Sequence, residues 1–153
     1  MRVLALFSLA LFTSAGLALA HQYQKGDLLI AHPWTRATPE GATVGAGYVK
    51  VTNNAKVPDR LTNATFENAQ SVEIHEMKMD GDKMTMRHVT DGVEIKPGAT
   101  VAFAPGSYHL MFIGLKRPIA QGPNIKGSLT FERAGTVDIE FKVEPIGASD
   151  SSD

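Results

Sequence analysis

Residues 71–88 read Ser-Val-Glu-Ile-His-Glu-Met-Lys-Met-Asp-Gly-Asp-Lys-Met-Thr-Met-Arg-His. Side chains alternate faces along a strand, so positions two apart share a face. In Ser71–Met77, Val72 and Ile74 lie on one face, suited to a core, while Glu73, His75 and Met77 lie on the other. In Met84–His88, Met84, Met86 and His88 share a face. Asp80-Gly81-Asp82 between them has the composition of a hairpin tip. A helix would repeat its apolar positions every three to four residues. This stretch repeats every two, so it reads as two antiparallel strands joined by a tight turn.

The same grammar extends in both directions. Further strands are expected at Leu28–Ala31, Ala46–Thr52, Leu61–Phe66, Thr100–Phe103, His109–Leu115, Ser128–Phe131 and Val137–Val143. Asn53-Asn54, Pro58-Asp59, Asp91-Gly92, Pro97-Gly98, Pro105-Gly106 and Ala134-Gly135 separate them as turns. Arg36–Val44 reads as a loop. No segment carries a long helical period. The chain is therefore expected to be all-β and a single domain, a two-sheet sandwich or a barrel. Its 153 residues suffice for one core and not for two.

The two ends differ from the middle. Arg2 followed by the apolar run from Val3 to Phe12, with Ala18-Leu19-Ala20 after it, has the pattern of a secretory signal cleaved after Ala20. Residues 1–20 are thus expected to be removed, leaving a domain over 21–146 with no membrane insertion. Small and acidic residues fill Gly147–Asp153, which is expected to be a disordered tail.

Composition excludes several function classes. A formal net charge of -1 gives no basic face for nucleic acid. The chain has no cysteine. That removes a disulfide framework, every thiolate nucleophile and the Cys ligand of blue-copper electron-transfer sites. A hydrolase is not expected, since Ser107 and His109 are only two apart in a strand and no nucleophile elbow is present. A zinc enzyme would be built from His, Asp and Glu without methionine enrichment.

The methionines supply the positive signal. Apart from the initiator they are Met77, Met79, Met84, Met86 and Met111, all within one quarter of the chain. Three of the five histidines, His75, His88 and His109, fall in the same region. Core methionines fill gaps and should scatter with the other apolar residues. His109 and Met111 share a face of their own strand. Thioether sulfur is soft and selects Cu(I), and imidazole accepts copper as well. The constellation of His75, Met86, His109 and Met111 is therefore read as a copper site. Met79, beside the turn, and His88, beyond the tightest cluster, are read as ordinary strand residues. Met77 and Met84 have the parity to stand in for Met86.

At these residues the chain resembles the PCu(A)C family of periplasmic copper chaperones. The family pattern is His, ten residues, Met, about twenty-one residues, then His-x-Met. Here ten residues separate His75 from Met86, and twenty-two separate Met86 from His109-Leu110-Met111. The extra residue falls in Arg87–Tyr108, near the Thr90-Asp91-Gly92 turn. Pro33-Trp34-Thr35-Arg36, Val72-Glu73-Ile74-His75-Glu76 and Pro105-Gly106-Ser107-Tyr108-His109-Leu110-Met111 carry the likeness further.

The resemblance implies a cupredoxin-like β-sandwich with a Cu(I) site formed by His75, Met86, His109 and Met111. It implies delivery of Cu(I) for assembly of the CuA centre of cytochrome c oxidase, with the CuA domain or a Sco-like thiol protein as partner. No catalytic activity is implied. Copper storage or detoxification, or a β-sandwich that binds no metal, are the alternatives. Family members can bind Cu(II) through a His- and Met-rich C-terminal extension; Gly147–Asp153 has neither residue, so that second site is not expected there. Cleavage after Ala20 would instead leave His21 with a free α-amino group, a secondary N-terminal position for Cu(II) that His32 could assist.

Overall fold

A computed structural model describes residues 21–151 of the chain. The expected signal over residues 1–20 and the last two residues of the expected tail lie outside the described residues.

Eleven strands and no helix are present among the described residues. They are β1 (Gln22–Lys25), β2 (Leu28–Arg36), β3 (Val44–Asn53), β4 (Asp59–Phe66), β5 (Ser71–Asp80), β6 (Lys83–His88), β7 (Val93–Ile95), β8 (Thr100–Phe103), β9 (Tyr108–Ile113), β10 (Ile125–Phe131) and β11 (Gly135–Glu144). Hydrogen bonding runs in the order β6-β5-β9-β8-β3-β2-β11-β10-β4-β7, with β1 added to β2. Most pairs are antiparallel; β11 with β2 and β8 with β9 are parallel. The two halves of β3 bond to different partners, Val49–Thr52 to β8 and Val44–Gly47 to β9.

This path closes over itself into a sandwich. Phe66 of β4 stacks on Phe112 of β9, with ring centroids 3.8 Å apart, although the two strands share no hydrogen bonds. Phe141 of β11 meets both rings edge-on at 5.5 Å. Leu110, Leu129, Ile139 and Ile30, none more than 2% exposed, extend this core. Gly47 belongs to this packing, because a Cβ there would fall 2.3 Å from the Phe112 ring. Interiors at crystal-like density have no slack to absorb that.

The expected all-β fold is present, and nine of its strands are those anticipated. Two were not anticipated. β1 is polar and lacks an apolar run; it exists because the Gly26-Asp27 turn folds it back onto β2, pairing Lys25 with Leu28. β7 has three residues and is held as the last partner of β4. The strand beginning near His109 stops at Ile113 rather than Leu115, where Gly114 turns the chain at φ +67°. Beyond β11 the chain stays on the surface as far as Ser151, and Arg36 Nε donates to the Ala148 carbonyl at 2.6 Å.

Candidate metal centre

The site is set by the register of three neighbouring strands. β5 and β6 join through the two-residue loop Gly81-Asp82, so Asp80 pairs with Lys83. Gly81 holds φ at +60°, the sign that both favoured two-residue hairpin turns require of the first loop residue. Counting back from the loop, Met79 faces Met84, Met77 faces Met86 and His75 faces His88. On its other side β5 pairs with β9, which places His75 opposite His109 and Glu73 opposite Met111.

Directly paired residues of antiparallel strands share a face. The outward face therefore carries four rows. Glu73 and Met111 form the first, and His88, His75 and His109 the second. Met86 and Met77 form the third, and Met84 and Met79 the fourth. The inward face of the same strands carries Ile74, Leu110 and Phe112, all buried in the core. Alternation thus sends apolar groups in and ligand types out.

His75 is the hub. Its ring lies 5.7 Å from that of His109 and 5.4 Å from that of His88, centroid to centroid. Met111 is the next outward residue along β9 from His109, and Met86 neighbours His75 diagonally on β6. Of the four predicted ligands, the two histidines and Met111 lie on adjacent positions. Met86 lies across the histidine row from Met111.

Hydrogen bonds define which ring nitrogens are available. Glu73 Oε2 lies 2.8 Å from His75 Nε2. A carboxylate only accepts, so Nε2 donates and the lone pair sits on Nδ1. That Nδ1 is buried and has no hydrogen-bond partner, a status shared among the described residues only by Asn68 Oδ1. Buried polar atoms are nearly always paired, so this exception requires a reason. His109 Nδ1 faces the Ser107 carbonyl at 3.4 Å, which leaves Nε2 as its lone-pair atom. Burial pushes the His109 pKa down, holding the ring neutral. The hydrogen bond from His75 holds the Glu73 carboxyl below its ordinary value.

The far face of the hairpin supports this arrangement. Arg87 Nη2 donates to Glu76 Oε2 at 2.6 Å, and these two residues are a cross-strand pair. The pair locks the register that aligns His75 with His88. A slip of one residue would turn every methionine to the other side.

Two neighbours of the site lie outside the expected ligand set. Glu73 was noted only for its face, and His88 was read as an ordinary strand residue. Glu73 Oε2 contacts His75 and lies 3.7 Å from His88 Nδ1. The signal for His88 was available, since a two-residue loop at Gly81-Asp82 fixes every pairing by counting. Glu73 has no such signal. No group of three or more His, Cys, Asp or Glu side chains able to hold a metal is present among the described residues.

A second pair of histidines comes together elsewhere. His32 N donates to the His21 carbonyl at 2.9 Å, extending the β1–β2 ladder. Both residues hold positive φ, 49° for His21 and 50° for His32, and no other non-glycine residue described does so. The β2–β3 register breaks between Ala31 and Trp34, at His32.

Comparison with known proteins gives the following. Residues 28–143 match the family model described as "LpqE-like: Putative lipoprotein LpqE-like". The "Putative lipoprotein Lxx21020" of Leifsonia xyli subsp. xyli is 28% identical over 129 residues, covering 84% of this chain and 76% of its own. The copper-bound PCuAC domain from PmoF2 superposes with a TM-score of 0.70 at 32% identity, covering 82% of this chain and 99% of that domain. The solution structure of CuI-DR1885 from Deinococcus radiodurans gives 0.55 at 25% identity, covering 74% of this chain and 75% of that one.

Proposed function

From the premise that this chain belongs to the LpqE-like family of PCuAC-type domains, we propose that it is an exported copper chaperone that carries Cu(I) on the outward face of β5, β6 and β9. One observation carries the reading. The buried Nδ1 of His75 has no hydrogen-bond partner, its ring lies 5.7 Å from that of His109, whose burial favours the neutral form, and Met111 is the next outward residue along β9. These are uncharged donors of the kind that favour Cu(I) over harder cations. Two relatives described as copper-bound and CuI-loaded support the same choice of metal.

In this reading His75, His109 and Met111 hold the ion, and Met86 closes over it from the exposed hairpin. Met86 is 51% exposed, so the β6 side of the site faces solvent and an approaching partner. Met77, opposite Met86, is the natural substitute when ligands exchange. All four ligands are neutral, so the loaded site keeps the charge of its cargo. A partner offering thiolates then draws copper away. The partner is the CuA domain of cytochrome c oxidase or a Sco-like thiol protein, the process is transfer rather than catalysis, and the setting is the periplasm after cleavage at Ala20.

The test is transfer. Loaded protein is mixed anaerobically with an apo CuA domain or with a Sco-like thiol protein, and the copper content of each is measured after separation. Copper on the acceptor supports delivery. Copper retained on this protein against both acceptors favours storage.

The His21–His32 pair favours a second reading for oxidised copper. Cleavage after Ala20 would place a free α-amino group on a His21 already joined to His32. Amine and imidazole nitrogen suit Cu(II). An EPR spectrum of nitrogen-ligated Cu(II), lost when one residue is added before His21, is the expected result.

A further inference from the structure

The hairpin formed by β5 and β6 has two faces of opposite chemistry. Glu76, Lys78, Thr85 and Arg87 lie on one, and Met77, Met79, Met84 and Met86 on the other. The polar face is what water ordinarily selects at a sheet edge. The methionine face is not. The described residues include six exposed large apolar side chains, and three of them are Met79, Met84 and Met86, at 55%, 51% and 51%. Burial therefore cannot account for their presence, and core packing is the usual reason for methionine.

The backbone brings these thioethers close in pairs. The Met77 amide donates to the Ser107 carbonyl on the β9 side at 3.1 Å. The Met77/Met86 rung is thus a non-hydrogen-bonded pair, and by alternation so is Met79/Met84. In such pairs the Cα atoms approach to about 4.5 Å and the side chains lie closest. Each rung can close two flexible thioethers on one ion. The rungs repeat along the strands every two residues, about 7 Å, and the next inward row is the histidine row.

We propose that Met79 and Met84, backed by Met77, form a separate all-thioether Cu(I) site at the hairpin tip. It takes the ion from solvent or a donor and passes it inward to His75. Thioethers alone bind Cu(I) selectively, and without imidazole they bind it more weakly than the inner site. Such a gradient lets copper land and move on. The proposal rests on the copper reading above, but it uses side chains that the inner site does not require.

The experiment labels the purified protein with methionine bearing ¹³C-methyl groups and titrates it anaerobically with Cu(I), following each methyl resonance. Two phases are expected. The first moves Met111 and Met86, and the second, weaker phase moves Met79 and Met84. Met79→Leu/Met84→Leu keeps the bulk of the tip and retains the first phase, while the second, read in this variant at the Met77 methyl, weakens by at least about tenfold, the lower end of what changes around a metal cost. His75→Ala/His109→Ala should lose the first phase and keep the second. Met79 and Met84 resonances unmoved by excess Cu(I), in wild type and the histidine variant alike, would overturn the tip site. A second phase without a first in the wild type would instead contradict the inner site and leave the tip site standing.

Discussion

Two long hairpins in this molecule are built alike and used in opposite ways. β10 and β11 pair from Ile125 to Phe131 against Gly135 to Phe141, and β5 and β6 pair from His75 to Asp80 against Lys83 to His88. Both alternate apolar and polar residues, and both close on short turns. In the first, Leu129, Phe131, Ile139 and Phe141 point into the core and are no more than 2% exposed. In the second, β6 is the edge of the sheet, and all of its residues except Thr85 are exposed. The first hairpin holds the fold together through buried area. The second contributes little area and presents sulfur and imidazole. Methionine and leucine both count as apolar, and the contrast shows where that equivalence fails.

The largest effect on this comparison comes from the core hairpin. Phe141→Ala removes a ring that touches Phe66 and Phe112, and should cost about 3–5 kcal/mol of stability. Met86→Ala, on the exposed hairpin, should stay within about 0.5 kcal/mol. Chemical denaturation of both variants measures the difference, and equal losses would break the contrast.

Next in size is Glu73→Gln. It keeps the shape beside His75 but removes the charged acceptor that fixes the ring's proton on Nε2. Outer partners of metal-binding histidines are worth about 10–100-fold in affinity, so Cu(I) binding should weaken by about tenfold. Competition against a chromogenic chelator measures it. Tighter binding would mean that Glu73 competes with copper for His75 rather than orienting it.

The smallest effect is on pH. His109 is neutral and buried, with its pKa below the ordinary 6.5. In the window between 6.5 and that lower value, the unfolded chain binds a proton that the folded chain refuses. Its contribution to stability is therefore intact above 6.5 and lost as pH falls toward the depressed value. Melting temperatures of copper-free protein should drop over that window, and His109→Gln should flatten the drop.

Much of this was legible in the sequence. The alternation of residues 71–88, with Val72 and Ile74 inward and His75 and Met77 outward, gives both the hairpin and the face that carries the candidate ligands. The turn clusters give nine strands. β1 was hidden because Gln22–Lys25 carries no apolar pattern and depends on pairing with β2. The strand pairing on the β9 side of His75 was hidden for another reason. The pairing of His75 with His109 joins residues on strands separated in sequence, and no local pattern encodes it. The split of the candidate ligands, with Met86 across the histidine row from Met111, follows from the same long-range register.

The central claim is that the outward face of β5, β6 and β9 holds Cu(I) through histidine and methionine. An anaerobic Cu(I) competition titration of the wild type beside Met86→Ala/Met111→Ala tests it most directly. The account predicts one tight equivalent in the wild type, weakened by more than about 100-fold in the variant, since direct ligands should matter more than the outer partners just described. Equal competition by both proteins, or none by either, would contradict it.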